Sequence, residues 1–367
     1  MPEGILVPTG GEYKHQPVQS LRVGMELMDP AKRWKLNVVL QRLFLLGAPK
    51  VLIACVLLLA LSPTTPVFCE AYEFIELFSG TGWVTKVMKA NGIPTASFDI
   101  LLGEHFPGKQ DAMLVLLTIL NAKMDNFWCM IGLVCSSWVT ISKGTHCREP
   151  WAPLGMTQHQ FVADGNALTS RACLLILAIS AMGGGWLLEQ PSTSCVEWHP
   201  RVRLLWRLLP EVFSAKWWAC MYGAPTAKRH IGWSNCKTIK CLDLGRMVRK
   251  LHTKKGGLKS TKTYRNKEGK KSFAGNQHLK GTGTYPPAFA KKLARLHTRF
   301  CSKRTLWFGT HLEVDNWELS VHLFEELPWE EADWWPDAAM ESVFCYLRGS
   351  KDLELGSLRR LFPTHLP

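Results

Sequence analysis

The sequence predicts an α/β protein with a doubly wound, mostly parallel sheet, a small basic subdomain and extra segments at both ends of the chain. Between about residues 72 and 190, short apolar runs typical of buried strands alternate with stretches that have helical spacing. A glycine-containing turn joins the first run to the first helix. Because ligands bind beyond the carboxyl ends of parallel strands, we expect the loops after Phe78, Asp99, Val134 and Leu188 to open onto one rim.

The charge balance predicts a polyanionic partner. The 367 residues include 44 Lys and Arg against 30 Asp and Glu, which gives a formal net charge of +14. Such an excess favours nucleic acid or an anionic membrane surface. The hydrophobic fraction of 47% excludes wholesale disorder, and the length suits one large domain with additions or two domains.

The twelve cysteines predict neither a disulfide scaffold nor a metal site. They are too sparse for a disulfide-rich domain, and no two of them form a CxxC pair. Cys236 and Cys241, with His230 nearby, come nearest to a metal cluster, but their spacing fits no standard zinc pattern. We expect most of these cysteines to be buried or reduced thiols.

Residues 1–66 form an expected N-terminal extension with an apolar segment at about residues 38–61. Its cleanest run, Val51–Leu61, suits a signal-peptide core or a buried helix better than a membrane span, which needs about 20 residues. Three interpretations stay open: a membrane anchor or signal, a core helix, and a gene-model artefact. An anchor would place the protein at a membrane, and a core helix would place it in the nucleus or cytoplasm. Ser62–Pro66 predicts a linker.

The remaining segments follow in chain order. We expect a core at residues 67–227, a basic insertion at 228–280, a helix returning to the core at 281–300 and an acidic, Trp-rich extension at 301–367. Lys250–Lys280, rich in Lys, Gly, Ser and Thr, is typical of an exposed basic loop. Within the core the patterns predict strands at Glu73–Phe78, Thr95–Asp99, Phe127–Val134 and Gly185–Leu188, and helices at Trp83–Asn91, Asp111–Lys123 and Thr169–Met182.

The turn after the first strand predicts a nucleoside-cofactor site. Glycines allow a tight turn and close approach of a ligand, and the following helix offers free backbone N–H groups. Asp99, at the end of the next strand, could accept hydrogen bonds from ribose hydroxyls. The candidate cofactor-binding residues are Phe78, Ser79, Gly80, Thr81, Gly82 and Asp99. A plain strand-to-helix turn is the alternative.

Two further residues are candidates for catalysis. Cys135 follows a buried strand, where a reachable thiol of lowered pKa can act as a nucleophile; a structural cysteine is the alternative. Glu189 follows the fourth apolar run, and the loop-like sequence after it favours a site acid over a helix cap. Both residues should share a rim with the glycine turn.

Five segments together resemble the motifs of DNA cytosine-5 methyltransferases, in that family's order. Glu76–Gly82 is similar to the cofactor motif DLFxGxGG, and Gly132–Trp138 to the loop that carries the catalytic Pro-Cys. Glu189–Pro191 is similar to the Glu-Asn-Val motif, Tyr222–Ile231 to the YGxPQxRxR segment, and Gly281–Leu296 to the late helix that returns to the cofactor site. The resemblance covers about residues 72–300 and implies a Rossmann-like, class I methyltransferase core.

The resemblance implies S-adenosylmethionine as the methyl donor and cytosine in DNA as the acceptor. Methylation of another substrate, such as RNA, is a second enzyme interpretation. Cys135 would add to C6 of the base, and Glu189 would hydrogen-bond the ring at N3 and at the exocyclic amine. The base would be flipped out of the duplex, with Ser136, Lys228 and His230 against the flipped nucleotide. The basic insertion would contact phosphates.

The sequence also departs from the family pattern. Val134 stands in place of Pro and Gln190 in place of Asn; the other departures are Trp83, Thr226, Lys228, His230 and Thr282. These departures keep open an alternative of a different class: a catalytically degenerate, nucleic-acid-binding or membrane-anchored relic of the same fold.

Overall fold

The computed structural model describes residues 24–62, 65–99, 112–247, 260–265, 267–275 and 277–302. Almost all of the acidic, Trp-rich extension expected at residues 301–367 therefore lies outside the described residues, as does part of the basic insertion. Helices α1 (Pro30–Leu45) and α2 (Lys50–Leu61) precede the sheet.

A six-stranded, mostly parallel sheet forms the centre of the protein. Its strands are β1 (Phe74–Leu77), β2 (Thr95–Phe98), β3 (Trp128–Ile131), β4 (Gly185–Pro191), β5 (Phe213–Trp218) and β6 (Arg229–Ser234). They lie in the order β2-β1-β3-β4-β6-β5. Strands β1 to β4 run parallel, whereas β6 is antiparallel to both of its neighbours, β4 and β5. The structure confirms an α/β protein with a mostly parallel sheet.

The helices of the core lie between the strands, as the sequence predicts. They are α3 (Trp83–Ala90), α4 (Ala112–Leu120), α5 (Lys143–His146), α6 (Gln160–Ala181) and α7 (Pro200–Leu208), followed near the end of the described residues by α8 (Gln277–Lys280) and α9 (Pro287–Ser302). Helix α6 begins nine residues before the predicted Thr169, because its first turns are polar and the prediction followed only the apolar part. Strand β4 continues to Pro191, because its last three residues pair with β6.

The basic segment contains an element that the sequence did not predict. Strands β7 (Thr261–Arg265) and β8 (Lys271–Gly275) form an antiparallel hairpin where an exposed loop was expected. Gly269 in its turn has a φ of 76°, a conformation that glycine adopts without strain. The exposure of most of β7 agrees with the expectation of a solvent-facing basic segment.

Each face of the sheet has its own hydrophobic core, because successive side chains of a strand point to opposite faces. Ile75, Cys129 and Leu188 pack in the cluster that includes α1, α2, α4, α6 and α7. Their neighbours Phe74, Trp128 and Leu187 pack in the other cluster, with α3 and α9. Coverage of both faces explains why the core strands are continuous apolar runs rather than alternating ones.

The N-terminal apolar segment folds as part of the first cluster. Residues 52–60 of α2 are all buried, in contact with the rest of that cluster. Arg42 of α1 is also buried; it forms an ion pair with Asp125 at 2.9 Å and donates to the carbonyl of Ala181 at 3.1 Å. A helix that is apolar on all sides is typical of a protein interior or of a membrane span. This packing favours the core-helix interpretation over an anchor.

Among the described residues, one helix is long and apolar enough to cross a membrane by length and composition alone. This helix is α6, and 67% of its apolar window is buried inside the protein. Its position behind the sheet is that of a core helix, so its hydropathy is weak grounds for a membrane span.

We predict that α2 contributes to the stability of the folded domain. Substituting the fully buried Leu59 by Ala should lower the free energy of unfolding by about 2–5 kcal/mol, because it removes apolar contacts and leaves a cavity. Leu27→Ala, at a position 83% exposed, is the control and should change stability by less than about 0.5 kcal/mol. Urea unfolding of the purified protein measures both, and equal stability of the two variants would contradict a core role for α2.

Candidate active site

The candidate site lies at the carboxyl ends of the parallel strands, where the direction of winding changes. The chain passes from β1 to β2 on one side and then returns to β3 on the other side of β1. The loops after β1 and β3 therefore separate and leave a crevice, which is where ligands bind in doubly wound sheets. The glycine turn follows β1, and the loop with Cys135 follows β3.

The glycine turn is tightly folded and tied to its surroundings. Phe78, Gly80 and Gly82 all have positive φ angles of 57°, 56° and 65°. The positive φ of Phe78 is uncommon for a bulky residue, and such strain concentrates at functional sites. The N–H of Gly80 donates to Asp99 Oδ2 at 2.7 Å, so the predicted acid holds the turn itself.

A buried pair beneath the turn was not among the sequence-predicted site residues. Glu76 Oε2 accepts hydrogen bonds from the backbone N–H and the hydroxyl of Thr85, at 2.8 and 2.5 Å. Burial raises the pKa of Glu76 to about 7, even though the bonds from Thr85 oppose the shift. The pair joins β1 to α3 and so sets where the amino end of α3 lies.

The turn has the features of a cofactor cradle. A Cβ built on Gly82 would meet no atom of the described residues within 4 Å, and one on Gly80 would meet only the carbonyl of Gly283, at 4.0 Å. Within the described residues, little therefore covers the backbone of Gly80 and Gly82 at the amino end of α3. The buried hydroxyl oxygen of Ser79 has no hydrogen-bond partner among the described residues. These observations fit a nucleoside cofactor, and Thr81, which is exposed, lies in the same turn.

Cys135 lies partly exposed in the loop after β3. Burial raises the pKa of its thiol; the positive charge of Lys228 lowers it, and the charge of Glu189 raises it further. Lys228 and Glu189 are therefore close enough to Cys135 to act on it electrostatically. A thiol with a raised pKa is mostly protonated at neutral pH, and the charge of Lys228 favours the thiolate.

Gln190 holds the start of the Cys135 loop. It is fully buried, and its amide donates to the carbonyl of Leu133 at 2.6 Å. Its own carbonyl accepts from the Ser194 hydroxyl at 2.9 Å. Gln190 thus links the carboxyl ends of β3 and β4, while the neighbouring Val134 is 46% exposed.

Arg148 holds the far side of the same loop. Its guanidinium is fully buried and stacks on Trp138, with 3.5 Å from Cζ to the ring centroid. It donates to the carbonyl of Ser137 at 2.8 Å and to Asn166 Oδ1 at 2.7 Å. Burial lowers its pKa to about 10. Ser136, the predicted substrate contact, is exposed between these anchors, and its carbonyl accepts a hydrogen bond from Ser142.

Glu189 lies within β4 rather than after it, and both of its carboxylate oxygens are held. Oε1 contacts Nδ1 of His230, and Oε2 accepts from the Tyr285 hydroxyl at 2.7 Å. Glu189 pairs with Gly232 of β6, so His230, two residues away, is its diagonal neighbour on the same face. Burial alone would raise the pKa of Glu189, but His230, Lys228 and Tyr285 together hold it below its ordinary value.

A cavity of about 230 Å³ opens beside these groups. Lys228, His230 and Tyr285 line its polar side, and Trp83 at the start of α3 lines another part. Lys228 Nζ donates to the carbonyl of Thr282 at 3.1 Å, which draws the segment before α9 against the cavity. The cavity thus combines apolar walls with a charged end.

The structure brings together most of the predicted site residues. Glu189 contacts His230, Lys228 lines the same cavity as His230, and both Lys228 and Glu189 act electrostatically on Cys135. The glycine turn adjoins the start of the Cys135 loop, since the carbonyl of Phe78 lies against Gly132. Among the residues that the structure describes, no group of three metal-ligating side chains comes together. Sequence reasoning missed Tyr285, Arg148 and the role of Gln190. Tyr285 lay within a recognised segment, whereas nothing in the sequence distinguishes Arg148 from other basic residues.

Comparisons with known proteins do not assign this chain to a family. No protein-family model matches it, and no curated protein matches it significantly.

We predict an acid-sensitive support beneath the Cys135 loop. Trp138 packs edge-on against His199, which is fully buried and has no partner for Nε2 among the described residues. Burial, reinforced by the nearby Arg201 and Arg148, lowers the pKa of His199 from 6.5 to about 3. The unfolded chain takes up a proton near pH 6.5 that the folded protein refuses, so stability is present above that pH and is lost as pH falls towards 3.

Removing this histidine should flatten that dependence. His199→Asn keeps a side-chain acceptor at the amino end of α7 but does not titrate. In wild type the free energy of unfolding should fall by up to about 1.4 kcal/mol per pH unit below 6.5, and in His199→Asn this fall should be absent. Thermal unfolding at pH 7, 6 and 5 measures the effect. His159→Asn, which removes an exposed histidine before α6, is the control. Parallel curves for wild type and His199→Asn would contradict this account.

Proposed function

We propose that this protein is an S-adenosylmethionine-dependent methyltransferase of the DNA cytosine-5 type, with a Rossmann-like core. One observation carries the proposal: a partly exposed cysteine, a buried carboxylate and a glycine turn meet at the switch point of a mostly parallel sheet. Each was expected from a separate motif. The convergence of these three distant segments is expected if they serve one reaction.

The glycine turn is the part that would hold the cofactor. Residues 78–82 and the amino end of α3 offer backbone groups, and Asp99 holds Gly80 in position. When bound, S-adenosylmethionine supplies an electrophilic methyl group. Asp99 already accepts a hydrogen bond from the N–H of Gly80. The predicted hydrogen bond from a ribose hydroxyl would be a second bond to the same carboxylate.

Glu189 and Cys135 would act on the base. The thiolate of Cys135 attacks C6 of cytosine, which converts C5 into a nucleophilic carbon that takes the methyl group. Because its pKa is held low, the Glu189 carboxylate acts as an acceptor: it accepts a hydrogen bond from the exocyclic amine, and it accepts a second one from N3 once addition of the thiolate has made that nitrogen basic enough to be protonated. Loss of the C5 proton then expels Cys135 and restores the ring. The raised pKa of the thiol means that Cys135 must lose its proton on substrate binding, with Lys228 favouring this loss.

Exposed basic residues support a nucleic-acid partner. The hairpin β7–β8 presents Lys262, Arg265 and Lys267 to solvent. Such residues suit phosphate contacts, which position a protein on nucleic acid without reading its sequence. Because the target base must leave the stack to reach Cys135, the substrate is a flipped or unpaired cytosine. DNA is the preferred substrate, and RNA is the second class to be tested.

The alternative is a catalytically degenerate relic that binds nucleic acid or a membrane. The raised thiol pKa of Cys135 and the exposed Val134 beside it favour this alternative. The burial of α2 weighs against its membrane form. Cofactor binding and adduct formation separate the two candidates, because a relic can bind cofactor and nucleic acid without forming a covalent bond.

We predict that the protein binds S-adenosylmethionine through the glycine turn. Asp99→Ala should weaken binding about tenfold or more, because a hydrogen bond to a charged group contributes about 1.5–3 kcal/mol. Isothermal titration calorimetry measures the Kd, and Asp164→Ala, at an exposed position on α6, is the control. Absence of binding by the wild-type protein would contradict the cofactor assignment, and equal binding by Asp99→Ala would contradict the role of Asp99.

We also predict a covalent adduct between Cys135 and the base. In DNA that contains 5-fluorocytosine, the fluorine at C5 prevents the final elimination, so methyl transfer leaves the protein attached to C6. A band of increased mass should appear on denaturing gels with wild type and with Cys220→Ser, another partly exposed cysteine. It should disappear with Cys135→Ser. An adduct that survives this substitution, or its absence from both DNA and RNA, would reject the nucleophile assignment.

A further inference from the structure

Glu189 and an aromatic stack form a closed ring of contacts. From His230, which holds one carboxylate oxygen, the stack continues to Trp217 at 5.8 Å between ring centroids. Trp217 stacks on Phe289 at 5.5 Å, and Phe289 on Tyr285 at 5.4 Å. Tyr285 then returns to the other carboxylate oxygen. The ring joins β4, β6, β5 and α9, so the orientation of Glu189 is set by four elements at once.

The approach of Tyr285 depends on a glycine at the end of β3. A Cβ on Gly132 would lie 2.8 Å from Tyr285 Oη, a distance that real Cβ contacts do not reach. It would also lie 3.2 Å from the carbonyl of Phe78. Any other residue at this position would push the hydroxyl away from Glu189. The space for the contact is therefore built into the strand that leads to Cys135.

We propose that Tyr285 is a positioning residue, whose hydroxyl orients the Glu189 carboxylate from the side opposite His230. Its catalytic consequence rests on the methyltransferase proposed above, whereas the contact itself does not. Each carboxylate oxygen has two lone pairs, so Oε2 can accept from Tyr285 and from the amine of a base together. Tyr285 thus orients Glu189 and leaves Oε2 able to accept a second hydrogen bond.

The electrostatics of the site agree with this role. Burial and the charge of Glu189 raise the pKa of Tyr285 well above its ordinary value, so the hydroxyl stays a donor at every working pH. The titratable groups that act on Glu189 are His230, Lys228 and Tyr285, and Cys135 lies beside them. The charge of Glu76, which lies beneath the glycine turn, also raises the pKa of Tyr285. Loss of the Tyr285 hydroxyl should raise the pKa of Glu189, since a donor to the carboxylate is removed.

Tyr285→Phe tests the proposal, because it removes the hydroxyl and keeps the ring in the stack. The pKa of the Glu189 carboxyl is measured by carbon-13 NMR of the labelled full-length protein, with the signal assigned through its loss in Glu189→Gln. We expect a rise of about one pH unit. Where methyl transfer is measurable, kcat should fall about tenfold or more with little change in KM, and the acidic limb of its pH profile should move upward.

Two further variants complete the test. Gly132→Ala should raise the pKa of Glu189 in the same direction, because its Cβ displaces the Tyr285 hydroxyl. Tyr222→Phe is the matched control: its hydroxyl is also buried and donates to the carbonyl of Leu242 at 2.7 Å, and its ring packs edge-on against Phe289. It should lose comparable stability and leave the pKa of Glu189 unchanged.

The outcomes separate this proposal from the proposed function. A Glu189 pKa that is the same in wild type and Tyr285→Phe overturns the positioning role, whatever the activity. A pKa that rises in Tyr285→Phe and Gly132→Ala, but not in Tyr222→Phe, supports it. If the wild type transfers no methyl group, the methyltransferase proposal fails while the carboxyl titration still decides the role of Tyr285. If Tyr285→Phe does not fold, Gly132→Ala decides in the same way.

Discussion

The buried carboxylate of Glu189 is the constraint on which the rest of the site depends. A charge taken out of water is costly unless it is paired and hydrogen-bonded, so the protein must bring donors to both oxygens. His230 comes from β6 and Tyr285 from the segment before α9. Segments almost a hundred residues apart in the chain are therefore held together at one carboxyl group, with the cavity beside them.

The reversed strand β6 makes this arrangement possible. Because β6 runs antiparallel to β4, the start of β6 lies beside the carboxyl end of β4. His230 therefore pairs with Pro191, the last residue of β4. Its direct partner on β5 is Trp217, which places an aromatic ring against the imidazole. Gly232 leaves room in the same row, since a Cβ there would lie 2.9 Å from a side-chain atom of Leu187. Sheet topology thus decides which side chains can serve the carboxylate.

The loop with Cys135 is supported from both sides, by the uncharged amide of Gln190 and by the guanidinium of Arg148. Gln190 holds its start through a carbonyl, and Arg148 holds its far side through carbonyls and an amide oxygen. The acceptors of this guanidinium among the described residues carry no charge, and its burial lowers the pKa of Arg148. The loop is therefore firmly placed while Cys135 itself remains partly exposed. This combination suits a side chain that must meet a ligand from outside.

The sequence by itself determined the strands, the helices and the chemical residues, because hydrophobic periodicity and turn chemistry are local properties. The glycine turn, Cys135, Glu189 and His230 were all visible in this way. Only the tertiary structure decided that Tyr285 and His230 share one carboxylate, that Arg148 supports the Cys135 loop, and that residues 52–60 lie inside the protein. Those facts depend on strand order and on packing between distant segments, which no local pattern encodes. A basic stretch likewise became a hairpin through pairing of β7 with β8, a property of two segments together.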